Sequence, residues 1–201
     1  MKSGRPIALA TALCFVTAAC ASSQGRACRG PADPVELTRL SSNVDSTMSA
    51  LHAAADTQAT WLRQYLQAMI DRTAELDGCG RLANGGDLRT AATLALKASV
   101  LGVPTVERAY QWSRRAVVAD SSDRRSWRVM ASAWDQLQVL RRQPQWFATV
   151  FSCASAPDGR CILAAIDTPR VTDPQRVELG LHTLAQQRAL IDSLNRARGR
   201  P

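Results

Sequence analysis

From Val35 to Asp77 the chain carries neither glycine nor proline, and this absence constrains the fold more than any other feature. Apolar residues recur through the stretch at Leu37, Leu40, Val44, Met48, Leu51, Ala55, Leu62, Leu66, Ile70 and Leu76. Spacings of mostly three and four put them on one face of a helix. The pattern predicts one long helix or two, with Asp56-Thr57 as the break. Gly78-Cys79-Gly80 ends it and Asn84-Gly85-Gly86 reads as a loop. Asp87 reads as the cap of a helix running to about Leu101, with Gly102-Val103-Pro104 leading into another over about 105–119. Asp120-Ser121-Ser122-Asp123 then turns the chain into a helix from about Arg124 to Arg142, which Gln143-Pro144 stops.

The next segment changes character. Trp146-Phe147-Ala148-Thr149-Val150-Phe151 and Cys161-Ile162-Leu163-Ala164-Ala165-Ile166 are rich in strand formers, and Ala156-Pro157-Asp158-Gly159 between them is turn chemistry. A β-hairpin is expected over 146–166. Asp173-Pro174 reads as an N-cap followed by proline at the first helical position, opening a C-terminal helix over 174–197 that Gly180 interrupts. The expected fold class is therefore mainly α, an antiparallel helical array with one small C-terminal β-hairpin. At 201 residues, with 46% hydrophobic and 21% charged side chains, the chain has the composition of one globular domain.

The first nineteen residues read differently. Lys2 and Arg5 precede an apolar run from Ile7 to Ala19, closed by the small residues Ala18-Ala19-Cys20-Ala21-Ser22. That is the layout of a secretory signal peptide. The apolar run is about 13 residues, short of the roughly 20 needed to span a bilayer. Val16-Thr17-Ala18-Ala19-Cys20 resembles a bacterial lipobox, in which the closing cysteine is lipidated, although Thr17 stands where that pattern prefers Leu, Val or Ile. Ordinary cleavage at Ala19-x-Ala21 is the competing chemistry. The favoured division is signal peptide 1–19, flexible tether 20–33 and a single helical domain 34–201. Lipidation is assigned to Cys20, Ala21 beside it resembles lipoproteins sent to the outer membrane, and the expected location is the periplasm.

Cysteine chemistry fits an exported chain. Either cleavage leaves Cys28, Cys79, Cys153 and Cys161, an even set for an oxidising compartment. Cys153 and Cys161 flank the expected hairpin turn and would staple it, leaving Cys28 with Cys79; four cysteines allow three connectivities, so cross-pairing stays open. There is no Cys-x-x-Cys, and the two histidines, His52 and His182, stand far apart, which argues against metal and cofactors. No Gly-x-Ser-x-Gly elbow or phosphate loop is present. The net charge of +8 comes almost wholly from scattered arginine, with Lys2 and Lys97 the only lysines, so a solvated surface is favoured over nucleic-acid binding. Five tryptophans, Trp61, Trp112, Trp127, Trp134 and Trp146, read first as core.

The stretch 90–142 resembles a tetratricopeptide or related helical repeat, whose period is about 34 residues. Ala109 and Ala116 fall where that family's small residues let helices approach. Trp127, Met130, Ala131 and Trp134 follow the order Trp, Leu, Gly, Tyr of its signature, and one period earlier Leu96 matches with Val100 close to it. Ser113 and Ser121 replace the family's aromatic and proline. About one and a half degenerate repeats are visible, so neighbouring helices must close the core. The C-terminal half also resembles a group of uncharacterised secreted bacterial proteins, through Asp135, Pro144-Gln145, Phe147-Ala148-Thr149-Val150 and Gly180-Leu181-His182-Thr183-Leu184. That group has Gly and Gln at the positions of Ala148 and Val150, and it implies architecture rather than activity.

The repeat resemblance implies that the first helix of each pair lines a concave surface. Arg125 and Arg128 would stand there beside Asp135 to hold an acidic peptide. The expected function is a protein-binding scaffold or accessory subunit, partnered by another envelope protein or membrane complex. The alternative is an envelope enzyme acting on glycan or peptide through Asp135, with Glu107 or Asp167 or with His182, in a tryptophan-lined cleft.

Overall fold

The computed structural model describes Cys28, residues 35–153 and residues 159–199. Cys20 and the signal segment fall outside the described residues, as does the expected turn apart from Gly159. Among the described residues the chain forms seven α-helices and one two-stranded antiparallel hairpin. No helix there is long and apolar enough to cross a membrane.

The glycine-free stretch is two helices, α1 over Glu36–Ala53 and α2 over Asp56–Gly78. Ala54 and Ala55 are extended and make the break just ahead of Asp56, whose charge suits the first turn of α2. Arg72 Nε donates to Glu36 Oε1 at 2.8 Å, which fastens the later part of α2 to the start of α1 and fixes the pair as antiparallel. Gly80, at φ 69°, closes α2: the Arg81 amide donates back to the Leu76 carbonyl at 2.9 Å and the Gly80 amide to that of Asp77. Such a left-handed closure suits a residue without Cβ.

Helix α3 spans Gly85–Lys97 and is capped by Asn84, not Asp87. The Asp87 amide donates to Asn84 Oδ1 at 2.9 Å. Gly85 and Gly86 therefore belong to the helix rather than to a loop, and packing explains the glycine at 85. A Cβ there would stand 3.3 Å from the Ala116 carbonyl oxygen and 3.5 Å from the Ala119 Cβ. A 3-10 turn over Ser99–Leu101 follows, so α3 ends earlier than its apolar period suggests. Helix α4 runs over Val103–Ala119 and α5 over Arg124–Leu140, the latter capped by Asp123, whose Oδ1 accepts from the Arg125 amide.

Alanine sets the core geometry. Ala91, Ala92, Ala95, Ala109, Ala116 and Ala133 are all fully buried, together with Leu66, Ile70 and Leu94. Small side chains let α3 and α5 both pack on α4 while touching each other, and α1 lies against α2 and α3. Trp112 closes one side of this cluster.

The C-terminal part departs from the expected hairpin. Strands β1, Phe151–Ser152, and β2, Ile162–Leu163, pair in the register Phe151↔Leu163 and Ser152↔Ile162. Beyond them the Ala164 amide donates to the Val150 carbonyl at 3.1 Å, and an isolated parallel bridge joins Gln145 to Ile166. Residues 146–150 are not strand, because the amides of Trp146, Phe147, Thr149 and Val150 are taken by side chains rather than by a ladder. Disulfides join Cys153 to Cys161 and Cys28 to Cys79. The expected C-terminal helix is also two helices, α6 over Asp173–Glu178 and α7 over Leu184–Ala197, separated by Gly180 at φ 75°. Thr172 rather than Asp173 caps α6, its amide donating to Gln175 Oε1 at 2.9 Å. Asp173 is turned to α7 instead and accepts the Leu184 amide at 2.9 Å. Asn195 of α7 holds the hairpin, accepting the Cys161 amide at 2.7 Å and donating to the Cys161 carbonyl at 3.1 Å.

Candidate interaction site

The residue on which both the binding and the catalytic readings leaned, Asp135, is completely buried. Its Oδ1 accepts the Trp146 amide at 2.8 Å and the Phe147 amide at 3.0 Å. Its Oδ2 accepts the Thr149 amide at 3.0 Å and the Thr149 hydroxyl at 2.8 Å. Burial pushes this carboxyl above its ordinary range, opposed by the donors from Phe147, Thr149 and Trp146. The carboxylate thus ties the 146–149 loop onto α5 and cannot face a partner or substrate. Its expected place on a concave surface is corrected on this ground. Sequence patterning missed it because an acid in mid-helix ordinarily faces water.

Gln145 and Arg176 extend the same node. Gln145, fully buried, donates through Nε2 to the Val150 and Ala164 carbonyls at 2.9 and 3.0 Å and accepts the Val150 amide at 2.8 Å. Arg176, 1% exposed, donates to the Trp146 carbonyl at 3.0 Å and to Asp173 at 3.1 Å. Ala148 sits at φ 60°, the left-handed conformation that favours glycine. Short motifs that looked scattered in sequence therefore meet as one hydrogen-bonded structure.

The other candidates separate. Arg125 and Arg128 are exposed on the first turns of α5, so they are not brought together with Asp135. Arg125 Nε approaches Asp123 Oδ1 at 3.3 Å. Glu107 pairs with Arg141 at 2.6 Å and Asp167 with Arg170 at 3.1 Å, while His182 is exposed. The acids proposed for catalysis are each engaged elsewhere. Of the five tryptophans Trp112 is buried and Trp127, Trp134 and Trp146 are half-buried, while Trp61, 59% exposed and stacked on Tyr65, departs from the expected core. Trp134 bridges Tyr110 and Trp146, with ring centroids 5.3 and 4.7 Å apart, and the guanidinium groups of Arg114 and Arg170 cap this ladder over Tyr110 and Trp146.

What the node positions is a groove. The loop it anchors brings Phe147 to a groove that Trp127, Val171 and Leu179 also line, with Ser121, Ser122 and Gln175 as its uncharged polar lining. Arg124 and Glu178 supply opposite charges at its edge, with a hollow of about 560 Å³ between. Trp127 is held by its Nε1, which donates to the Ser121 carbonyl at 2.9 Å. Gly180, at φ 75°, turns the chain between α6 and α7 in the left-handed conformation that favours glycine, and a Cβ there would meet the Arg124 side chain at ordinary contact distance. An aromatic-lined groove with one cation and one anion suits an extended or helical peptide with a buried apolar anchor.

Nearby, the start of α5 is fixed electrostatically. Arg89 of α3 makes an ion pair with Asp123. Burial alone would raise the Asp123 carboxyl, but donors from Ser126 and Arg125, with the Arg89 charge, hold it at about 2. Among the described residues no group of three or more His, Cys, Asp or Glu side chains is placed to hold a metal. Fold and groove together define a mainly helical, disulfide-bonded protein. No protein-family model, curated protein or solved structure matches the chain.

Proposed function

We propose that this chain is an exported, lipid-anchored protein of tetratricopeptide-like build that binds a segment of another envelope protein, as scaffold or accessory subunit. The observation that carries the reading is the groove between Trp127 and Phe147, with Val171 and Leu179 on its lining and Arg124 and Glu178 at its edge. Mutual packing of α3, α4 and α5 through buried alanines supports the repeat-like build. The two disulfides support an oxidising location. Engagement of Asp135 by four donors argues against the glycan- or peptide-cleaving alternative.

The test is cross-linking in the producing cell. A photoreactive residue at Val171 is expected to give a discrete adduct with one envelope protein, and Arg124→Glu is expected to abolish it. The same adduct from Val100, outside the groove, or none from Val171 would overturn the reading.

A further inference from the structure

The disulfide beside the end of α2 determines which part of the fold an N-terminal anchor can reach. Cys28 is bonded to Cys79, their Cα atoms 5.4 Å apart. From Cys20 to Cys28 the chain advances eight residues, which reach about 29 Å at full extension. Trp61 lies 18 residues before Cys79, and the α2 axis between them measures about 27 Å. Seating the Trp61 end on a bilayer would stretch the tether almost to its limit. Seating the Cys79 end requires no such extension.

Several contacts define that Cys79 end. Asp77 accepts from Trp112 Nε1 and from Arg115 of α4, both within 2.8 Å. Gly85 abuts Ala116, Ala119 and Asp120, and Arg89 reaches Asp123. The ends of α2 and α4 and the starts of α3 and α5 therefore lie together. This end exposes Arg114, Arg115, Arg124 and Arg125, and Val118 is 87% exposed among them. Arg115 is paired with Asp77 and Arg125 with Asp123, whereas Arg114, whose guanidinium lies over the Tyr110 ring, and Arg124 have no carboxylate partner among the described residues. The acids beside them are Asp120, which Ser122 engages twice, Asp87, which accepts from Asn84, and Glu178 at the groove edge.

We propose that this end docks on the anionic phospholipid surface in which Cys20 is anchored, with Val118 entering the headgroup layer and Arg114 and Arg124 meeting phosphates. The inference rests on the anchoring reading above. It gives the groove a direction, because Arg124 belongs to both, so the partner segment received there is membrane-proximal. An arginine near an anionic surface strengthens binding about fivefold, and an exposed valine adds to it only on insertion.

The test uses the chain from Cys20 onward, in which Cys20 is the one thiol outside the two disulfides, coupled to maleimide-bearing lipid in vesicles. Amide exchange of the turn 119–123 is compared on phosphatidylglycerol-containing and on pure phosphatidylcholine vesicles. Exchange slowed severalfold on the anionic vesicles only, lost in Arg114→Glu with Val118→Asp and kept in Arg63→Glu at the far end of α2, is the expected result. Equal exchange on both lipids, equal loss in Arg63→Glu, or slowing at residues 56–61 instead would overturn the proposal. Because the tether here is chemical, these outcomes decide the docking surface alone. Absence of fatty-acid label on Cys20 in cells would overturn the anchoring reading and leave the vesicle result standing.

Discussion

Replacing Asp135 by alanine removes the acceptor for three backbone amides and one hydroxyl in a site closed to water. Each buried donor left unpaired costs about 1–3 kcal/mol. The sum overstates the loss, because the wild-type carboxylate itself carries a burial cost, seen in its raised pKa. Breaking a comparable buried charged contact costs about 3–5 kcal/mol, and that is the expected range. Asp135→Asn keeps one oxygen but turns an NH2 group toward donors, so a loss of about 2 kcal/mol is expected. Urea unfolding followed by far-UV circular dichroism measures both, and amide exchange reports whether Trp146, Phe147 and Thr149 have lost protection. A cost below about 1 kcal/mol for the alanine variant, with those amides still protected, would refute the claim that this carboxylate organises the loop. The groove should fail with it, since Phe147 is positioned by the same contact.

Asn84→Ala should destabilise by about 1 kcal/mol in the same assay, by leaving the Asp87 amide of α3 uncapped, and an unchanged midpoint would contradict the cap. Loop-closure entropy predicts a larger loss for Cys28→Ser with Cys79→Ser, about 4 kcal/mol across a separation of 51 residues. For Cys153→Ser with Cys161→Ser, across 8 residues, the loss should be about 2.5 kcal/mol, and the reverse order in denaturant unfolding would refute that account. Asp123 is held at about 2, below its ordinary 3.8, so its stabilising contribution is complete above 3.8 and is lost as pH falls through 2. The stability gap between wild type and Asp123→Asn should therefore close with acidification over that window, and a gap that persists below it would show the gap is not electrostatic.

Helix existence was legible in the one-dimensional pattern wherever one face is apolar and turn chemistry bounds it. The stretch 35–77, the segment 103–119 and the segment 124–140 all follow that logic, because local spacing decides which side of a helix meets the core. Gly102 and Gly180 were readable as punctuation for the same local reason, both adopting positive φ. Cysteine parity pointed to two disulfides, although only folding chose between the three connectivities.

Tertiary structure decided the rest. Residues 146–150 carry strand-forming side chains, yet Asp135 and Gln145 capture their amides, and a buried acceptor outweighs a propensity worth a fraction of a kcal/mol. Asn84 won the cap over Asp87 because Gly85 had to lie against α4, a contact between segments distant in sequence. The groove is the extreme case. Trp127, Phe147, Val171 and Leu179 belong to separate stretches with no shared period, and they meet because a buried carboxylate folds one loop onto α5 while Arg176 of α6 holds the same loop through the Trp146 carbonyl. Local sequence specifies periodicity and chain reversals; long-range hydrogen bonds and close approach, absent from any window of sequence, specify which surfaces come together.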